Sequence, residues 1–163
     1  MNDTPNELTP VQELDPEAPG GYRLEESPGY WLHRLYRTME RDFQRRLAPL
    51  HLTPQEWAVL KTTGRGDQTP ASIAQELEMN SSAVTRFLDR LEQKDLLRRG
   101  THPVDRRRTS LELTDGGKRM VCEAAQEAIE INRQILGAFD ETEGKQFMSF
   151  LQRSVEHLRK LGF

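Results

Sequence analysis

Ser81, Ser82, Thr85, Arg86, Asp89 and Arg90 fall on one side of a 3.6-residue period, and Val84, Phe87, Leu88 and Leu91 fall on the other. A helix patterned this way presents short hydroxyl groups at its amino end and guanidinium groups farther along. Short side chains allow close approach to a polyanion, the first N–H groups are free to meet a phosphate, and an arginine can bond a guanine edge through two parallel hydrogen bonds. Farther on, Asp105-Arg106-Arg107-Arg108 sets three arginines in a row. They repel one another, so the run gains nothing for stability, whereas a phosphate pair or a narrow minor groove would neutralise them. Asp105 is placed to hold one guanidinium in a bidentate pair. Each feature alone also describes an ordinary surface, a solvated helix face or a solvated basic turn. Their closeness in one short segment favours nucleic-acid chemistry.

Other chemistries lack their residues. No Gly-rich phosphate loop, H-E-x-x-H or G-x-S-x-G pattern occurs, so no enzyme is expected, and Gly116-Gly117 after Thr114 reads as a helix start. Cys122 is the single cysteine, and the four histidines show no zinc-ligand spacing; no disulfide, metal or cofactor is expected. Cys122 itself reads as a buried small hydrophobe. The 163 residues suffice for one domain with a real core. With 30% charged and 35% hydrophobic residues, no apolar run approaches the roughly 18 residues of a membrane span. The first residues hold acids and prolines where a signal peptide has a basic and an apolar stretch, so a cytoplasmic location is expected.

The net charge of −3 hides an asymmetry. Residues 1–27 carry seven acids against Arg23, a charge of −6, together with four of the nine prolines, and read as a disordered acidic arm. The remainder is +3, with eight basic residues against four acids between Arg86 and Arg108.

Helix starts are well marked. A hydroxyl N-cap followed by proline recurs at Ser27-Pro28, Thr53-Pro54 and Thr69-Pro70; Thr53 with Glu56 and Asp140 with Glu143 form capping boxes, and Asn80 caps a further helix. Six helices are predicted, over residues 28–47, 54–63, 70–78, 81–96, 115–136 and 141–161. Between the fourth and fifth, Arg98 to Leu113 alternates as a hairpin with a loop at 100–108 containing Pro103. The expected fold is therefore mainly α with a small β-hairpin wing: a winged helix-turn-helix at about 54–113 flanked by long helices at about 28–48 and 115–161, within a domain spanning 28–163. Those long helices carry more apolar surface than a small winged helix covers internally. Part of it must be intrachain core; for the rest an isologous homodimer is the commonest solution.

The stretch SSAVTRFLDRLEQKDLLRR followed by PVDRRRTSLELTDGGK resembles the MarR family of winged-helix transcription regulators. The family's wing pattern, Asp-x-Arg followed by Leu-Thr, is matched by Asp105, Arg107, Leu113 and Thr114, and the helix order extends the likeness over about 27–163. The resemblance implies a sequence-specific regulator, a ligand-responsive repressor that binds a pseudo-palindromic operator in double-stranded DNA as a homodimer. It places Ser81, Ser82, Thr85, Arg86 and Arg90 in or beside the major groove and Arg106, Arg107 and Arg108 at the wing. Two recognition helices would then lie about 10 bp apart. It also implies a small aromatic or anionic effector, for which Trp31, His33, Arg34, Tyr36, Arg37 and Trp57 offer aromatic walls and positive charge; Trp57 among Ala58, Val59 and Leu60 is more simply a core residue. Asp95, in Lys94-Asp95-Leu96, stands where the family commonly has glycine, which leaves room for a different turn. The alternative is a winged helix that binds protein without DNA; that would need an apolar recognition face, and here the face carries Arg86 and Arg90.

Overall fold

The computed structural model describes residues 17, 19–66, 68–101 and 109–162. They form α1 (Pro28–Leu47), α2 (Pro54–Thr63), α3 (Pro70–Glu76), α4 (Ser81–Gln93), β1 (Leu97–Thr101), β2 (Thr109–Leu113), α5 (Asp115–Leu136) and α6 (Glu141–Lys160). No helix is long and apolar enough to cross a membrane among the described residues. The chain divides into two compact units, Met1–Arg41 and Asp42–Phe163.

In the first unit, single 3-10 turns at Pro19–Gly21 and Leu24–Glu26 lead into α1, so the last part of the segment expected to be an unstructured arm has local order. Ser27 caps the helix, accepting from the Tyr30 N–H at 3.4 Å. The Trp31 indole donates to the Glu25 carbonyl at 2.7 Å, and Arg34 lies over both the Tyr30 and Trp31 rings.

In the second unit the expected caps are in place. Thr53 with Glu56 and Asp140 with Glu143 close capping boxes, and Asn80 accepts from the Ser82 N–H. Thr69 forms one more box, with Ser72. Leu47, Val59, Leu60, Ile73, Val84, Leu88, Leu91 and Leu97 are fully buried in one core, to which β2 adds Leu111 and α5 adds Ala124. Burying a Leu or Val side chain contributes about 1.5–3 kcal/mol, so this cluster holds α2, α3, α4 and the hairpin as a unit. The hairpin is antiparallel, with Leu97 opposite Leu113, Arg99 opposite Leu111 and Thr101 opposite Thr109.

Two helix ends differ from the sequence boundaries for one reason. α3 stops at Glu76 rather than 78, and α4 at Gln93 rather than 96, because Glu78 and Asp95 turn left-handed, at φ 51° and 52°. At each, two backbone bonds close the end: Met79 N–H to Ala74 O and Glu78 N–H to Gln75 O, then Leu96 N–H to Leu91 O and Asp95 N–H to Glu92 O. This is the Schellman pattern. Asp95 therefore keeps the turn that a glycine would make, at a cost of about 1–2 kcal/mol. α6 ends one residue short of its expected boundary, at Lys160.

The close of α4 also seats α5. The Thr114 side chain accepts from the Gly117 N–H at 3.0 Å and donates to the Asp95 carbonyl at 2.7 Å. Gly117 is pressed so near the strand entrance that an added Cβ would lie 1.9 Å from the Leu96 carbonyl oxygen. Farther along, α5 buries Ala124 and Ile131, and Arg46 joins Asp42 at 2.6 Å and Glu127 at 3.2 Å. The Arg46 hydrogen bond holds the Asp42 carboxyl below its ordinary range.

Cys122 corrects the sequence reading. It is exposed, not buried, because the inward face of α5 runs through Gly117, Ala124 and Ile131, and a residue two before Ala124 is turned about 200° from that face. α6 buries no residue; Phe150, Val155 and Leu158 stay about half exposed.

Candidate nucleic-acid interface

α4 presents the two faces that its sequence predicts. Val84, Leu88 and Leu91 are fully buried and Phe87 packs against the core, so the opposite side is forced outward. Ser81, Ser82, Thr85, Arg86 and Arg90 are all exposed. At the amino end, the Asn80 carboxamide oxygen accepts from the Ser82 N–H at 2.8 Å and its hydroxyl at 2.7 Å. Thr85 donates its hydroxyl to the Ser81 carbonyl at 3.0 Å. Arg86 and Arg90 form no ion pair among the described residues, leaving both guanidinium groups open to a ligand.

The acids of α4 behave differently. Asp89, grouped by sequence with the outward polar residues, is drawn to the hairpin: Arg99 Nη1 lies 2.6 Å from Asp89 Oδ1 and 3.3 Å from Glu92 Oε2. The carboxyl end of the helix is fixed from the other side. Lys94 donates to the His51 carbonyl at 2.8 Å and to Glu56 Oε2 at 2.9 Å, and Glu56 is only 3% exposed. A buried carboxylate without a partner costs several kcal/mol; here the Thr53 N–H and the Lys94 ammonium both meet it. Glu56 is thus at once the capping residue of α2 and the anchor for α4. Sequence spacing revealed the first role but not the second, since Lys94 approaches from a distant part of the chain. Arg99 was likewise not singled out.

The strands bring Thr101 and Thr109 opposite each other. Arg106, Arg107 and Arg108, with Asp105, lie outside the described residues. Of the residues assigned to an effector, Trp31, His33 and Arg37 are exposed on α1, with Arg37 paired to Glu40 at 3.0 Å. Trp57 is half-buried on α2, edge-on to Phe43 at 5.1 Å between ring centroids, with Lys61 over its face. No group of three or more His, Cys, Asp or Glu side chains is placed to hold a metal among the described residues.

A short helix, a left-handed turn, a second helix with an open polar face, and an antiparallel hairpin against that helix define the winged helix-turn-helix class. Comparison with known proteins narrows it. The model of the MarR family matches residues 52–109. The HTH-type transcriptional regulator PecS of Dickeya dadantii (strain 3937) is 32% identical over 131 residues, covering 78% of this chain and 79% of that protein. Among solved structures, the transcriptional repressor CouR bound to a 23-mer DNA duplex is 28% identical with a TM-score of 0.73, covering 81% of this chain and 94% of that one. A probable transcriptional regulator from Pseudomonas aeruginosa is 26% identical with a TM-score of 0.71, covering 80% and 98%. The chain belongs to the MarR family of transcriptional regulators.

Proposed function

We propose that the protein is a ligand-responsive repressor that binds a pseudo-palindromic operator as a homodimer. The observation that carries this reading is the outward face of α4. It holds three short hydroxyl side chains and two arginines free of carboxylates among the described residues, on a helix whose other face is locked into the core. The face enters the major groove: Ser81, Ser82 and Thr85 approach the bases and backbone, and Arg86 and Arg90 bond base edges or flanking phosphates. Arg106, Arg107 and Arg108 meet the minor groove or its phosphates from the wing. Pairing of two chains is supported by Ile129, Phe150, Val155 and Leu158, which are 49–57% exposed on the long helices and gain from being covered. An aromatic or anionic effector is met by the exposed Trp31, His33 and Arg37. Residues 1–27 serve as an acidic arm of charge −6, the protein works in the cytoplasm, and no catalytic step belongs to it.

The test is selection of duplexes from a random pool at physiological salt. A pseudo-palindrome with half-sites about 10 bp apart is the expected product; a folded protein that enriches nothing overturns the reading and directs attention to a protein partner. With the selected duplex in hand, Arg107→Ala should weaken binding and lower the slope of log affinity against log salt by about 0.9, one phosphate's worth of released counterion. An unchanged slope would remove Arg107 from the DNA contacts.

A further inference from the structure

Reading DNA with a helix and a wing together requires that the two be held at a fixed pitch, and one side chain spans them. Strand alternation puts Leu97 and Arg99 on the same face of β1. Leu97 is fully buried in the core, and Arg99, two residues nearer the tip, lands on the polar shoulder of α4. There its guanidinium meets Asp89 Oδ1 at 2.6 Å and Glu92 Oε2 at 3.3 Å, and donates to the Thr85 carbonyl at 3.4 Å. Its backbone N–H donates to Glu92 Oε1 at 3.2 Å. The side chain is 30% exposed, against 46% for Asp89 and 41% for Glu92.

The charges matter as much as the geometry. α4 carries Arg86 and Arg90 against Asp89 and Glu92, so its own charge is zero and offers a phosphate backbone no net attraction. Arg99 sets one positive charge between the two acids, so that helix and side chain together carry +1 and attract a phosphate backbone. We infer that Arg99 is a positioning residue of the DNA interface, one that fixes the wing against the recognition helix and offsets one of the helix's two acidic charges. This rests on the reading of α4 and the hairpin as the DNA-contacting pair. An arginine suits the task better than a lysine, because a planar fork can serve two carboxylates and a carbonyl at once.

The experiment uses the full chain and the duplex recovered by selection, with Arg99→Gln, Arg99→Lys, Asp89→Asn and the Asp89→Asn/Arg99→Gln double variant. Affinity is measured across a salt series and unfolding is followed without DNA. Arg99→Gln is expected to bind about tenfold more weakly, the size of a coupling within one charge network, with an unchanged salt slope. Arg99→Lys should fall between it and the wild type, and Asp89→Asn should restore part of the loss in the double variant. A salt slope lowered by about 0.9 would mean that Arg99 itself touches a phosphate, and losses that multiply in the double variant would mean that it acts apart from Asp89; either overturns the inference. A thermal midpoint that falls far below the wild type's would mean that Arg99 supports the fold, again overturning it. If the wild type retains no duplex, the DNA reading fails first and the inference falls with it.

Discussion

Gly117→Ala is expected to lower the thermal unfolding midpoint by roughly 6–12 °C, as read by circular dichroism, whereas Gly116→Ala should leave it unchanged or raise it. The two neighbours occupy the same first turn of α5, so helix propensity favours alanine at both by up to about 1 kcal/mol. Their surroundings differ. A Cβ on Gly116 meets nothing nearer than the Thr114 hydroxyl at 3.5 Å, an ordinary contact. On Gly117 it meets the Leu96 carbonyl oxygen at 1.9 Å and the carbonyl carbon at 2.9 Å. Both are backbone atoms at the entrance to β1, fixed by the Thr114 N–H to Leu96 O bond at 3.1 Å, so no side chain can swing aside. Relief needs α5 to move away from the hairpin, an overpacking cost of about 3 kcal/mol, and each kcal/mol shifts the midpoint of a chain this size by about 2–4 °C. Equal midpoints for the two variants would show that α5 is not pressed against the strand entrance.

The second large effect is expected on DNA. Arg86→Ala should cost about 1–3 kcal/mol at the selected operator, roughly 5- to 150-fold in affinity, and should relax the sequence preference at one position in each half-site. The side chain is exposed in the middle of the outward face, one residue after Thr85, whose hydroxyl is turned back onto the helix. Arg86 therefore has the reach of a base-reading group with no competing hydroxyl beside it. Arg86→Lys should not rescue the preference, because an ammonium cannot make the two parallel bonds that a guanine edge accepts. Repeating the duplex selection with each variant checks this. Equal weakening for every sequence, with the preferred site unchanged, would reduce Arg86 to a phosphate contact.

Much of this was legible in the sequence for local reasons. Caps, prolines and apolar periodicity depend on neighbours in the chain, and the starts of all six helices fall where Ser27, Thr53, Thr69, Asn80, Thr114 and Asp140 place them. The division of α4 into buried and open faces follows from its period alone. What stayed hidden depends on approach from elsewhere. Lys94 reaches Glu56 across 38 positions and Arg99 reaches back to Asp89 from the next element, and no spacing rule encodes either meeting. Cys122 was misread because cysteine's average preference for burial says nothing about angle around a helix. The helix ends were misjudged where Glu78 and Asp95 adopt a conformation that their side chains disfavour, which tertiary closure imposes against local preference.

Those corners bear on how the protein can change over generations. His51, Glu78 and Asp95 all hold positive φ without being glycine, and glycine at any of them would recover about 1 kcal/mol of backbone strain. This chain thus stands below the stability its own backbone allows, with reserves at positions away from the outward face of α4. Drift at Ser81, Ser82 or Thr85 that retunes the operator at some loss of stability can be offset at a corner without touching the reading surface. Stability and recognition can therefore evolve at separate addresses in this chain.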